Sequence, residues 1–251
     1  GGDMSFEEIS EVVPWLELAF DQGQDLEAPQ YGDSEGMPRI FKTHAWAGHC
    51  PTGCKKVVVF RDPMDVVLSF YKFFENWFFD EGTISLEDFA QEFWLARGVP
   101  ESKMNNASYF VHLVSWYEKR NEDDVLILFF EDMKDDLERE VGKIAKFIST
   151  DKHDFTAPEI IKGATERSTY QFMKDNEGKF DEKLSKLSRN EPCGLPKDAG
   201  MGGGKIKEGK SGKGKLSLSN DLRAAIHAKW IEVVTPITGC ETYAELREKE
   251  L

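Results

Sequence analysis

The stretch VVVFRDPMDVVLSFYKFF, residues 57–74, constrains this chain more than any other. Val57 to Phe60 is a short apolar, mostly β-branched run, the pattern of a buried parallel strand. Arg61 stands where that strand ends. Asp62 and Pro63 then open a helix, the acid as N-cap and the proline at the first helical position, where its missing N–H costs nothing. Open α/β sheets take ligands in the crevice beyond the carboxyl ends of their strands. A helix N-terminus there presents free amides and positive dipole to an anion, and an arginine fork pairs two phosphate oxygens at once. The competing account is plainer: a strand-end arginine paired with a surface carboxylate.

The chain has 251 residues, enough for one large α/β domain or two small ones. Its 18 Phe and 6 Trp supply an ample core. A formal charge of -14 argues against a nucleic-acid partner or an anionic membrane surface, so an anionic ligand needs a local basic cluster. Four cysteines do not make a secreted disulfide framework, and reduced thiols in a cytoplasmic setting are the simpler account. No run approaches a membrane span and no signal peptide is visible. The chain opens on Gly-Gly-Asp rather than Met, as a piece of a longer protein would.

Strand and helix patterns alternate. Strands are expected at 39–43 (RIFKT), 57–60 and 125–130 (VLILFF). Phe6, Ile9, Val13, Leu16 and Phe20 keep a helical period, with Pro14 arguing for a break. A capping box at Ser85–Asp88, an aromatic face at 109–118, an amphipathic run through Leu137, Val141, Ile144 and Ile148, and a last helix capped by Ser219 complete the helices. Strands separated by helices predict a parallel sheet with right-handed crossovers. Three strands are few for such a sheet, and part of it is expected to lie outside these residues. Residues 178–215 lack apolar periodicity and carry GMGGGKIKEGKSGKGK. They read as a mobile, solvated Gly/Lys-rich loop, with a phosphate-screening role as the alternative. No Walker-type or G-x-G-x-x-G loop occurs in a strand–helix context.

His44 is the best candidate for proton chemistry, because it follows the 39–43 strand beside Lys42 and shares a sheet edge with Arg61. A lysine there can hold charge developing on a transferred group. His44, His49, Cys50 and Cys54 also invite a zinc reading, but H-x4-H-C-x3-C matches no common ligand spacing and no metal is expected.

Taken together, these segments resemble the cytosolic sulfotransferase family, which moves a sulfuryl group from 3′-phosphoadenylyl sulfate (PAPS) to a hydroxyl or amine. RIFKTHAW (39–46), KKVVVFRDPMDVVLSFYKFF (55–74) and VLILFFEDMKDDLEREVGKIAKFI (125–148) match three family segments in order. The resemblance implies a single domain over 1–251 with a three-layer α/β fold, related to P-loop NTPases, in which helices flank a parallel sheet. It implies His44 as base and Lys42 as a positioning group for acceptor and sulfuryl. Arg61 and Ser69 would hold the 3′-phosphate, the arginine folding back along the helix to reach it. Phe130 would stand beside adenine, lacking the usual tyrosine hydroxyl. Ser168, Thr169 and Tyr170 would contact the nucleotide, and Trp15 and Phe73 would wall the pocket of a small-molecule acceptor.

Two departures accompany the match. The family's Arg-Lys-Gly clamp aligns with Lys207-Glu208-Gly209, where Glu208 brings repulsion and lysine loses bidentate geometry. The family's first strand and Pro-Lys-Ser/Thr-Gly-Thr loop, which cradles the 5′-phosphosulfate, have no counterpart here. The resemblance therefore implies a fold lacking that strand and loop, and a fragment inactive by itself. A non-catalytic homologue binding 3′-phosphorylated nucleotide or a protein partner is the alternative. Acceptor identity and oligomeric state stay open, the family's dimer segment not being recognisable near 215–225.

Overall fold

In the computed structural model, residues 4–27, 38–75, 77–103, 105–201, 206 and 212–249 are described. Two strands, β1 (Lys56–Phe60) and β2 (Val125–Phe129), pair in parallel, with Lys56 opposite Val125 and Phe60 opposite Phe129. Their crossover carries α1 (Pro63–Glu75) and α2 (Tyr109–Tyr117). After β2 come α3 (Phe130–Asp135), α4 (Leu137–Ile148), α5 (Pro158–Arg167), α6 (Tyr170–Asp175) and α7 (Lys183–Arg189). The C-terminal part holds α8 (Lys213–Ser217), α9 (Asn220–Val233) and α10 (Tyr243–Glu248). This is an α/β fold with helices packed around a parallel sheet.

The strand-to-helix step forms as its residues dictate. Asp62 Oδ1 accepts the Met64 amide at 2.9 Å, and Pro63 opens α1. Val58 and Phe60 point into one core with Phe110, Leu113, Trp116, Leu222, Ile226 and Trp230. Burying such side chains contributes about 1.5–3 kcal/mol each. Val57 and Val59 face the other way and are 42% and 46% exposed, so β1 alternates where the sequence predicts burial on both faces.

Several expectations are corrected. Residues 39–43 form no strand: Lys42 makes a single parallel bridge to Trp15, through Leu16 N to Lys42 O and Lys42 N to Pro14 O, both 2.9 Å. Pro14 has no N–H to extend the ladder, and Ile40 is exposed with nothing to bury its face. The sheet therefore has two strands among the described residues, not three. The 6–20 periodicity yields a short 3-10 turn (Ile9–Glu11) and further turns, Pro14 interrupting it. β2 ends at Phe129, and Phe130 already belongs to α3. Ser85 caps as predicted, but its helix passes into a π turn (Phe89–Trp94). Ser219 caps α9, which is followed by α10.

The 178–215 region also departs from its loop reading, because it contains α7 and the start of α8. The buried face of α7 is polar: Ser185, Lys186 and Asn190 are 0%, 2% and 0% exposed. Lys186 Nζ donates to Gly200 O at 2.8 Å, Asn190 Nδ2 to Lys197 O and Ala199 O at 3.0 Å, and Trp77 Nε1 to Asn190 Oδ1 at 2.6 Å. A helix anchored by hydrogen bonds leaves no apolar period to read.

α8 is clipped to α1. Asp65, 4% exposed, accepts the amides of Gly212 and Gly214, each at 2.7 Å. At Gly214 a β-carbon would lie 2.3 Å from the Met64 carbonyl carbon, so only glycine allows this approach. Gly214→Ala should lower stability by about 1–3 kcal/mol, read as a reduced urea midpoint with unchanged slope.

Candidate functional site

The register of the two strands builds the first half of the site. Because Phe60 faces Phe129, the next residues also meet, and the Arg61 guanidinium carbon lies 4.5 Å from the Phe130 ring centroid. Arg61 Nη2 is 3.8 Å from Asp65 Oδ2, one turn along the helix from Arg61. Arg61 Nε is buried with no hydrogen-bond partner among the described residues, an unsatisfied charged donor at the strand ends. Ser69, one further turn along α1, is exposed.

The helix-amide part of the anion expectation is not met in the form predicted. Glu131 Oε1 takes the Asp62 amide at 3.2 Å, and Asp62 takes that of Met64. Glu131 also accepts from the Tyr243 hydroxyl, while Arg247 of α10 pairs with Asp132 and Asp135. Burial, with the Asp62 and Glu131 carboxylates as smaller causes, holds the Tyr109 phenol well above its usual range. Among the described residues at this end of the sheet, the Arg61 guanidinium keeps a donor without a partner, whereas Arg247 is paired with Asp132 and Asp135. The surface-carboxylate alternative is corrected as well, since the partner Asp65 is buried.

His44 builds the second half. It sits in the loop after Lys42, exposed, with its ring edge-to-face against Trp15 at 4.6 Å. Glu17 Oε1 accepts both the Thr43 hydroxyl (2.8 Å) and the His44 amide (2.7 Å). The Lys42 ammonium lies 3.9 Å from the Trp15 ring centroid and pairs with Glu182, which is 4% exposed. Glu182 adopts φ +54°, the left-handed region, at the N-cap of α7. Lys42 is therefore held by a resident carboxylate, which the sequence does not reveal.

Helix α2 spaces the halves. The Tyr109 hydroxyl donates to Arg61 O at 2.7 Å, and Trp116 Nε1 and Ser115 Oγ bond Ala45 O and Ala47 N at 3.2 and 3.1 Å. Between them stands His112, missed by the sequence reading because 109–118 reads as a packed aromatic face. The His44 imidazole acts on it through space, and the spacing of His112 one turn after Tyr109 is the only signal that could have shown it.

Other candidates lie apart. Ser168 ends α5, Thr169 caps α6 by accepting the Phe172 amide at 3.2 Å, and Tyr170 opens that helix, 38% exposed. None of the contacts given above for Arg61 or His44 reaches this corner. Phe73 packs on Trp77 at 5.4 Å, in an aromatic group tied through Trp77 to α7. Lys207, Glu208 and Gly209 lie outside the described residues. Among the described residues, no three of His, Cys, Asp and Glu are grouped to hold a metal, and no helix is long and apolar enough to cross a membrane.

Burial, then the nearby His44, pushes the His112 imidazole down to about 4. Between pH 6.5 and 4 the unfolded chain thus binds a proton there that the folded chain does not. Stability should fall with acidification through this window by up to about 3 kcal/mol and be unaffected by this group above it. His112→Gln should flatten that slope, measured as urea midpoint against pH.

Residues 3–229 match the family model described as the sulfotransferase domain. Sulfotransferase 1E1 of Rattus norvegicus is 33% identical over 171 residues, covering 65% of this chain and 53% of that protein. Sulfotransferase 1B1 of Canis lupus familiaris is 28% identical over 173 residues, covering 67% and 55%. The chain thus spans about half the length of these relatives. Among solved structures, retinol dehydratase in complex with androsterone and the inactive cofactor PAP shares the fold at a TM-score of 0.59 and 22% identity, over 90% of this chain and 56% of that one. A mouse sulfotransferase complexed with PAP does so at 0.57 and 22%, over 79% and 67%. Matched by the domain model across nearly its whole length, the chain belongs to the sulfotransferase family.

Proposed function

We propose that this chain is one sulfotransferase domain, carrying the 3′-phosphate and acceptor sides of a PAPS-dependent enzyme that sulfates a hydroxyl or amine of a small molecule. The observation that carries the reading is the Arg61 guanidinium at the ends of two adjacent parallel strands, lying over Phe130 with Nε unsatisfied. A guanidinium in that state fits a 3′-phosphate, and the ring beneath it fits an adenine face. PAPS supplies the sulfuryl group. Arg61 and Ser69 pair the phosphate, with Lys207 and Gly209 adding to the clamp, and Ser168, Thr169 and Tyr170 contact the nucleotide. Trp15 and Phe73 wall the acceptor. His44 takes the proton from the acceptor at its imidazole, and Lys42, once released by Glu182, faces the charge that develops on the transferred group.

A non-catalytic homologue that retains nucleotide binding is the second reading, favoured by the commitment of Lys42 to Glu182. Binding and turnover separate the two. Arg61→Ala should weaken PAP binding by about 10- to 100-fold in titration calorimetry, the loss of a charge-assisted pair. His44→Ala in the full-length protein should abolish PAPS-dependent turnover while PAP affinity stays within twofold. PAP affinity indifferent to Arg61 would overturn the site. PAP binding without turnover in the full-length protein would favour the second reading.

A further inference from the structure

The sequence Pro14-Trp15-Leu16-Glu17 holds the Lys42-Thr43-His44 step on every side. Two backbone hydrogen bonds fix Lys42 between Pro14 and Leu16. The Trp15 ring touches both the Lys42 ammonium and the His44 imidazole. Glu17 then reaches past them: one carboxylate oxygen accepts the Thr43 hydroxyl and the His44 amide, while Thr43 Oγ1 accepts the Ala45 amide at 3.0 Å. The amides on both sides of the His44 residue's Cα are thereby tied, directly or through Thr43, to one carboxylate on a different segment.

We propose that Glu17 is the positioning residue for His44, acting by the reach of its acceptor oxygen rather than by its charge. This rests on the reading of His44 as base. Both donors to Oε1 are neutral, a hydroxyl and an amide, so nothing in the bonding requires a negative partner. The second oxygen, Oε2, is buried without a hydrogen-bond partner among the described residues, so it contributes nothing to the hold on the loop. His44 itself is exposed and its loop makes no ladder beyond the single bridge; the α2 bonds hold Ala45 O and Ala47 N, and the His44 and Ala45 amides are held by the Glu17–Thr43 tethers. A base displaced by about 1 Å can cost 100-fold in rate, which gives an acceptor at this place its leverage.

Two variants separate reach from charge. Glu17→Gln keeps the acceptor oxygen in place and removes the charge, whereas Glu17→Asp keeps the charge and withdraws the oxygen by one methylene. In the full-length protein, Glu17→Gln should retain kcat within about threefold of the parent, and Glu17→Asp should lose tenfold or more. PAP affinity should stay within twofold in both, reporting an intact fold and nucleotide side. Hydrogen exchange at the His44 amide should quicken at least tenfold in Glu17→Asp alone. The reverse order, equal losses, or unchanged exchange in Glu17→Asp would overturn the proposal. If His44→Ala leaves turnover intact while exchange follows the predicted pattern, the base assignment fails and the tether stands.

Discussion

Five residue pairs between β1 and β2 decide where the candidate site lies. Strand pairing has a side-chain period of two, so a slip of one residue would turn Val58 and Phe60 away from the core and set Arg61 against a different neighbour. The core prevents that slip. Phe60 packs on Phe129 at 6.0 Å, and Phe129 packs on Tyr243 at 5.9 Å, locking the carboxyl ends of both strands against the C-terminal helix. The cation over Phe130 is therefore a by-product of apolar packing one residue earlier. α2 extends the same logic, since one nine-residue helix touches the Arg61 carbonyl at its first residue and the His44 loop about two turns later.

The cations at this site share an electrostatic circumstance. On a chain of charge -14, Arg61 lies beside Asp65 and Lys42 beside Glu182, so neither meets an incoming anion as a bare charge. An anion has to compete with a resident carboxylate, and the net gain is the difference between two attractions rather than either alone. Asp65 cannot easily yield, because it also terminates the amides of Gly212 and Gly214. Glu182 is set differently: it sits at a backbone conformation that a non-glycine residue holds at a cost of order 1–3 kcal/mol.

What the sequence made legible was local. The Asp62 cap, the proline at the start of α1, the Ser85 and Ser219 caps and the span of α4 all depend on residues within a turn of one another, and each is found where expected. The strand at 39–43 failed because its fate hung on Pro14, which lies on another segment. α7 was invisible because its buried face is Ser185, Lys186 and Asn190, and hydropathy reads such residues as surface. Of the site, Arg61, Phe130, Trp15, Lys42 and His44 could be named in advance and are found in two clusters. Their partners Asp65, Glu182, Glu17 and His112 could not, since a carboxylate that accepts a distant amide looks like any other acid in one dimension.

The grip of Asp65 on Gly212 and Gly214 also bears on the order in which the molecule assembles. Those bonds join positions 147 and 149 residues apart. Closing a flexible loop of that length costs about 4 kcal/mol in chain entropy before any contact repays it. The strand pair and α2 involve shorter closures and are poised to form first, as long-range contacts are the slow ones. During synthesis the arginine and its aromatic neighbour exist long before the glycines that finish the cradle. The Arg61 end of the sheet is then sealed late, and its cradle opens when the C-terminal third loosens.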